Sequence, residues 1–196
     1  FMFFEDVDFG WRLNLMGWTF AYEPESIAYH KHHASMTSFG PWKEEFLLER
    51  NALFTLYKNA SDEMLAKVLP AAMALSVRRG MSRSSLDSME LDIRRPDDRS
   101  ASERPVPKST MAPVYAIDQF VEMMPSLSDS RREIQAARVS SDSVIDRLFR
   151  ETDVPGQMDR HYLDGYVKIT NAFGVVARQP RMRVLVITGD PLGAKL

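Results

Sequence analysis

Apolar side chains recur with helical period along much of the chain. Between Trp42 and Asn59 the positions Phe46, Leu47, Leu53, Phe54 and Tyr57 make one stripe, which predicts an amphipathic helix. A second helix is predicted over Asp62 to Arg79, capped by Ser61, kinked at Pro70 and closed by Gly80. The period returns at Val114 to Met124 and at Asp129 to about Phe149, with a break near Ser140-Ser141. A last helix spans Met158 to Val175, with Tyr162, Leu163, Tyr166, Val167, Thr170 and Phe173 on its apolar side. Near the start, Asp6 reads as the N-cap of a short helix over Val7 to Met16, with Gly17 at C′.

Other segments have a strand-like composition. Trp18 to Tyr22 is aromatic and β-branched and stops before Pro24, and Ser26 to His30 reads as a second short strand. Arg183 to Thr188 reads as a buried strand followed by the turn Gly189 to Gly193. A lone strand of this kind needs a neighbouring ladder, which leads to the expectation that the chain is an internal piece of a longer polypeptide. From Ser82 to Pro113 the chain is dense in Ser, Arg, Asp and Pro, the composition of a linker. Its arginines alternate with Asp and Glu, which favours a solvated segment over a phosphate-binding patch. No internal repeat is visible.

The 196 residues suffice for one domain, or one and a part, and 44% apolar residues suffice for a core. Lys and Arg number 25 against 27 Asp and Glu, a net charge of −2, so a general nucleic-acid binder is not expected. The absence of cysteine excludes disulfides, thiolate metal sites and cysteine nucleophiles. Val68 to Val77, the most apolar stretch, is about half the ~20 residues that a membrane-spanning helix needs.

Chemistry concentrates in the first 35 residues. Glu5-Asp6 stands at a helix start, where the helix dipole favours an anionic carboxylate able to accept a proton. Glu23-Pro24-Glu25 follows, and then His30-Lys31-His32-His33. A nearby imidazole can ligate a cation and so ease the departure of a phosphate. Each residue also has a plain structural reading. Asp6 serves as a cap, His30 as a core or loop histidine, and Asp8 with Arg12 as a surface ion pair one helical turn apart. A zinc site from His30, His32 and His33 is disfavoured, because that spacing on an extended loop points the rings apart.

The run from Phe4-Glu5-Asp6-Val7-Asp8-Phe9-Gly10-Trp11-Arg12-Leu13 through Gly17-Trp18, Tyr22-Glu23-Pro24-Glu25 and His30 resembles the C-terminal part of family 2 glycosyltransferases, in particular the rhamnosyltransferase-like subgroup. Leu48-Glu49-Arg50-Asn51 and Lys58-Asn59 extend the resemblance to about residue 60. It implies a GT-A fold and inverting transfer from a nucleotide-sugar donor to a saccharide or lipid-linked acceptor. It further implies Asp6 as the general base, His30 as a ligand of a divalent cation (magnesium or manganese), and Glu5, Trp11 and Arg12 on the acceptor side. The setting it implies is cytoplasmic, with peripheral contact at the inner face of a membrane. The family's Asp-x-Asp motif has no counterpart before Glu5, so the chain alone is expected to be inactive. Met182 to Gly193 is similar to the opening strand and loop of family 4, GT-B glycosyltransferases.

The resulting expectation is an α/β fragment in four parts. These are the C-terminal portion of a GT-A domain with trailing helices (1–80), a linker (81–113), a helical connector (114–181) and the first strand of a Rossmann-like domain (182–196). Two competing classes are a non-enzymatic helical docking module and a metal-dependent hydrolase built on Asp6 and the histidines. The hydrolase lacks a second carboxylate at metal-ligand spacing.

Overall fold

The computed structural model describes residues 3–21, 23–29, 40–84, 94, 105–148 and 160–175. These residues form six helices: α1 (Glu5–Leu15), α2 (Pro41–Asn59), α3 (Asp62–Ser82), α4 (Lys108–Ala136), α5 (Ser143–Leu148) and α6 (Arg160–Ala172). There is no strand among them, which corrects the expected α/β class. Trp18–Ala21 and Ser26–Tyr29 have strand-like composition but no ladder partner among the described residues. Propensity alone cannot satisfy a strand's backbone groups; pairing must do so. The strand expected at Arg183–Thr188 lies outside the described residues.

The longest helix organises the rest. At 29 residues α4 spans about 43 Å, and it serves two separate cores, the second near its C-terminal end. Leu53 and Phe54 of α2 pack with Phe120 and Leu127 of α4, flanked by Leu69, Ala72 and Met73 of α3. Tyr57 meets Phe120 edge-on, with ring centroids 5.6 Å apart. Further along α4, Ile134 joins Leu15 of α1 and Ile145 of α5, with Trp11 against them. Pro113 and Pro125 lie inside α4 without ending it.

Several local signals act as anticipated. Ser61 caps α3, its Oγ accepting the Met64 N–H at 3.2 Å. Gly17 has φ of 83°, and the bonds Trp18 N–H to Leu13 O and Gly17 N–H to Asn14 O close α1 with a Schellman motif. Gly80 does not close α3, which runs on to Ser82. The glycine instead admits α4: a Cβ there would lie 2.5 Å from the Thr110 carbonyl oxygen and 3.1 Å from Pro113 Cγ. Gly80→Ala is therefore expected to lower stability by about 1–3 kcal/mol, although alanine is the better helix former by about 1 kcal/mol. Thermal denaturation of the variant checks this.

The C-terminal end of α2 is capped from outside. Its last carbonyls lack helical partners, and three side chains of α4 and the residues just after it supply them. Arg131 donates to the carbonyls of Tyr57 and Ala60, Gln135 to that of Lys58 at 3.0 Å, and Arg138 to that of Asn59. Two guanidinium charges thus sit at the negative end of the α2 dipole, a placement worth up to ~2 kcal/mol where it is partly buried. The C-terminal carbonyl of α1 is met in a similar way, since the N–H groups of Val139 and Ser140 both donate to Leu15 O at 2.9 Å.

A buried ion pair joins α2, α3 and α6. Arg79 grips Glu49 with two bonds of 2.6 Å, Ser76 adds a third at 2.8 Å, and Arg79 Nη1 also reaches the Tyr162 hydroxyl. Burial by itself would raise the Glu49 carboxyl, but the Arg79 hydrogen bonds and charge, with Ser76 and Arg83, hold it below its ordinary value of 4.5. A carboxylate lowered in the folded state adds stability above its unfolded value and loses it as pH falls through the folded one. Urea unfolding near neutral pH and at about pH 3 is thus expected to show an acid loss of stability that Glu49→Gln diminishes.

Candidate functional site

α1 begins two residues earlier than its sequence signals imply, with Phe4 at the N-cap position. Asp6 therefore lies inside the first turn and does not cap the helix. Its Oδ1 accepts the adjacent Val7 N–H at 2.9 Å, and both Glu5 and Asp6 face solvent. Three carboxylates (Glu5, Asp6 and Asp8) crowd the positive end of the α1 dipole. Only Asp8 turns inward, and it is 4% exposed.

Asp8 is held by both helices. Lys58 Nζ lies 3.0 Å from each of its carboxylate oxygens, Asn59 Nδ2 donates at 2.7 Å, and Arg12 Nη2 lies at 3.0 Å. The expected surface pair of Asp8 with Arg12 is thus one edge of a buried network. The Lys58 side chain is only 13% exposed, so these charges attract through a medium much less polar than water.

The chain entering α1 is constrained as well. Phe3 and Phe4 both take left-handed backbone conformations, with φ of 67° and 65°, at a cost of about 1–2 kcal/mol each for a side chain of this size. Asn51, wholly buried, donates from Nδ2 to the Phe3 carbonyl at 3.2 Å. The Asn51 Oδ1 accepts from Arg50, whose Nη1 donates to Gln119 of α4 at 2.8 Å. The solvent-facing Glu5-Asp6 pair is therefore braced on both sides by α2: through Asn51 before it, and through Lys58 and Asn59 after it.

The remaining expected site residues divide. Arg12 is 39% exposed at its side chain, with one edge engaged by Asp8. Trp11 turns into the cluster of Leu15, Ile134 and Ile145, its Nε1 buried with no partner among the described residues. His30 lies outside the described residues, as do His32 and His33. No group of three or more His, Cys, Asp or Glu side chains suited to a metal ion occurs among the described residues. No described helix is long and apolar enough to cross a membrane.

Asp8, Asn51, Lys58 and Asn59 were not singled out by sequence reasoning for any site role. A usable signal was present. Asn51, Thr55 and Asn59 recur every four residues beside the apolar stripe of α2, and all three are essentially buried. A polar row at that spacing on a buried helix requires polar partners.

No protein-family model, curated protein or solved structure matches this chain.

Proposed function

We propose that this chain supplies the acceptor-activating part of an inverting, family 2-like glycosyltransferase. The full enzyme moves a sugar from a nucleotide-sugar donor to a saccharide or lipid-linked acceptor. The observation carrying this reading is the solvent-facing Glu5-Asp6 pair on a helical turn that is braced on both sides and entered through left-handed backbone. Strain of that kind collects where a side chain must be held for work.

In the reaction, the Asp6 carboxylate takes the proton of an acceptor hydroxyl. The acceptor oxygen bonds to the donor's anomeric carbon from the face opposite the leaving group. The bond from that carbon to the diphosphate oxygen breaks, and its electron pair departs with the nucleoside diphosphate. Glu5 and the free edge of Arg12 orient the acceptor, while Trp11 fixes α1 from beneath. The described residues supply no cation site of their own, so the divalent cation implied by the resemblance would belong with His30 and the nucleotide-binding half, and no step here runs through it.

The test uses the longer polypeptide that joins this chain to its nucleotide-binding half. Single-turnover transfer by wild type and Asp6→Asn, with donor affinity measured in parallel, decides whether Asp6 moves a proton.

A further inference from the structure

A groove of about 550 Å³ opens between the start of α2 and the first half of α4. Trp42, Phe46 and Tyr115 form apolar walls, and Lys108, Asp118, Gln119 and Glu122 supply the polar groups. The volume falls within the range of small-molecule sites. Its walls are rigid, since Arg50 ties Gln119 to α2 and stacks on the Phe46 and Phe54 rings, with its guanidinium carbon 5.4 and 5.3 Å from the ring centroids. The Arg50 bond occupies Oε1 of Gln119, leaving Nε2 to donate to a ligand. Tyr115 is 61% exposed on a helix whose Ala112, Ala116 and Phe120 are buried, so its ring faces outward as a platform.

The lining selects among ligand classes. Lys108 lies over the Trp42 ring with Lys43, Arg50 lies over Phe46, and Asp118 and Glu122 stand opposite, so charges of both signs surround the groove and it is not built for a strongly ionic ligand. A purely apolar chain would use the aromatic walls but none of the four polar side chains. A neutral polyol satisfies both halves: its C–H faces lie on aromatic rings, and its hydroxyls donate to carboxylates and accept from the ammonium and amide. We propose that the groove is an oligosaccharide subsite for a neutral stretch of sugar. The ligand class follows from the lining, whereas assigning that sugar to the acceptor rests on the transferase reading above.

The experiment is a calorimetric titration of the full chain with neutral trisaccharides of gluco, galacto, manno and rhamno configuration, with UDP and phosphatidylglycerol vesicles alongside. At least one trisaccharide is expected to bind saturably, with Kd of the order of millimolar. Tyr115→Ala and Glu122→Ala should each weaken it about 2- to 10-fold while leaving circular dichroism unchanged. Asp6→Asn should leave this binding as it is. The subsite is overturned if no trisaccharide binds, if binding ignores both groove variants, or if UDP or vesicles compete for the groove. Sugar binding that persists while the longer polypeptide shows no transfer from any nucleotide-sugar donor would remove the transferase reading and leave the subsite standing.

Discussion

On the proposed transferase reading, Asp6→Asn in the longer polypeptide is expected to reduce kcat by about 10²–10⁴-fold, the usual contribution of a positioned general base. The substitution keeps the side chain's shape and its oxygen acceptor for the Val7 N–H, so α1 should start where it does now. Donor affinity should barely change, because the role proposed for Asp6 is on the acceptor hydroxyl. The effect belongs in kcat, since deprotonation stabilises the transition state more than the bound ground state. A folded Asp6→Asn enzyme with near-normal kcat would leave Asp6 as a first-turn carboxylate favouring the helix dipole and would remove the centre of this mechanism.

The second large effect is on folding. Asp8→Ala leaves Lys58 buried without its carboxylate and removes the acceptor for one Asn59 N–H. Breaking one partner of a buried pair costs about 3–5 kcal/mol. Against a typical total of about 5–15 kcal/mol, that is a large share. Urea unfolding of Asp8→Ala measures it. The variant Asp8→Leu/Lys58→Met separates the pair's own worth from the penalty of keeping Lys58 charged without Asp8, because apolar replacement of a whole buried pair is often close to neutral. A double variant as unstable as Asp8→Ala would show that packing at α1, and not the stranded ammonium, governs the loss.

What could be read from the residues was local. The stripe of α2, the Ser61 cap and the Gly17 terminus each depend on neighbours within one or two turns, and each stands where its spacing puts it. The errors arose where distant partners decide. Pro113 and Pro125 advertise helix ends, yet α4 continues through both while burying Ala112, Ala116, Phe120 and Leu127 against its neighbours; burial outweighs the loss of a backbone bond at each proline. Trp18–Ala21 has the composition of a strand, but no described segment lies beside it to complete a ladder. The site was legible in part. Glu5-Asp6 announces itself by motif, whereas Asp8 looks like a surface partner of Arg12 until Lys58 and Asn59, about fifty residues away, are seen to enclose it.

The external capping of α2 and α1 also sets an order in time. The bond from Arg138 to the Asn59 carbonyl spans 79 residues, and the N–H groups that meet the Leu15 carbonyl of α1 come from Val139 and Ser140. At a synthesis rate of ~5–20 residues per second, roughly 4–16 s separate the emergence of Asn59 from that of Arg138. During that interval α1 has its local Schellman closure, but the Leu15 carbonyl and the last carbonyls of α2 lack their donors from Arg131, Gln135, Arg138, Val139 and Ser140. The turn carrying Glu5-Asp6 therefore reaches its final bracing only after all of α4 has been synthesised, so folding of the first helices is completed from the far end of the chain.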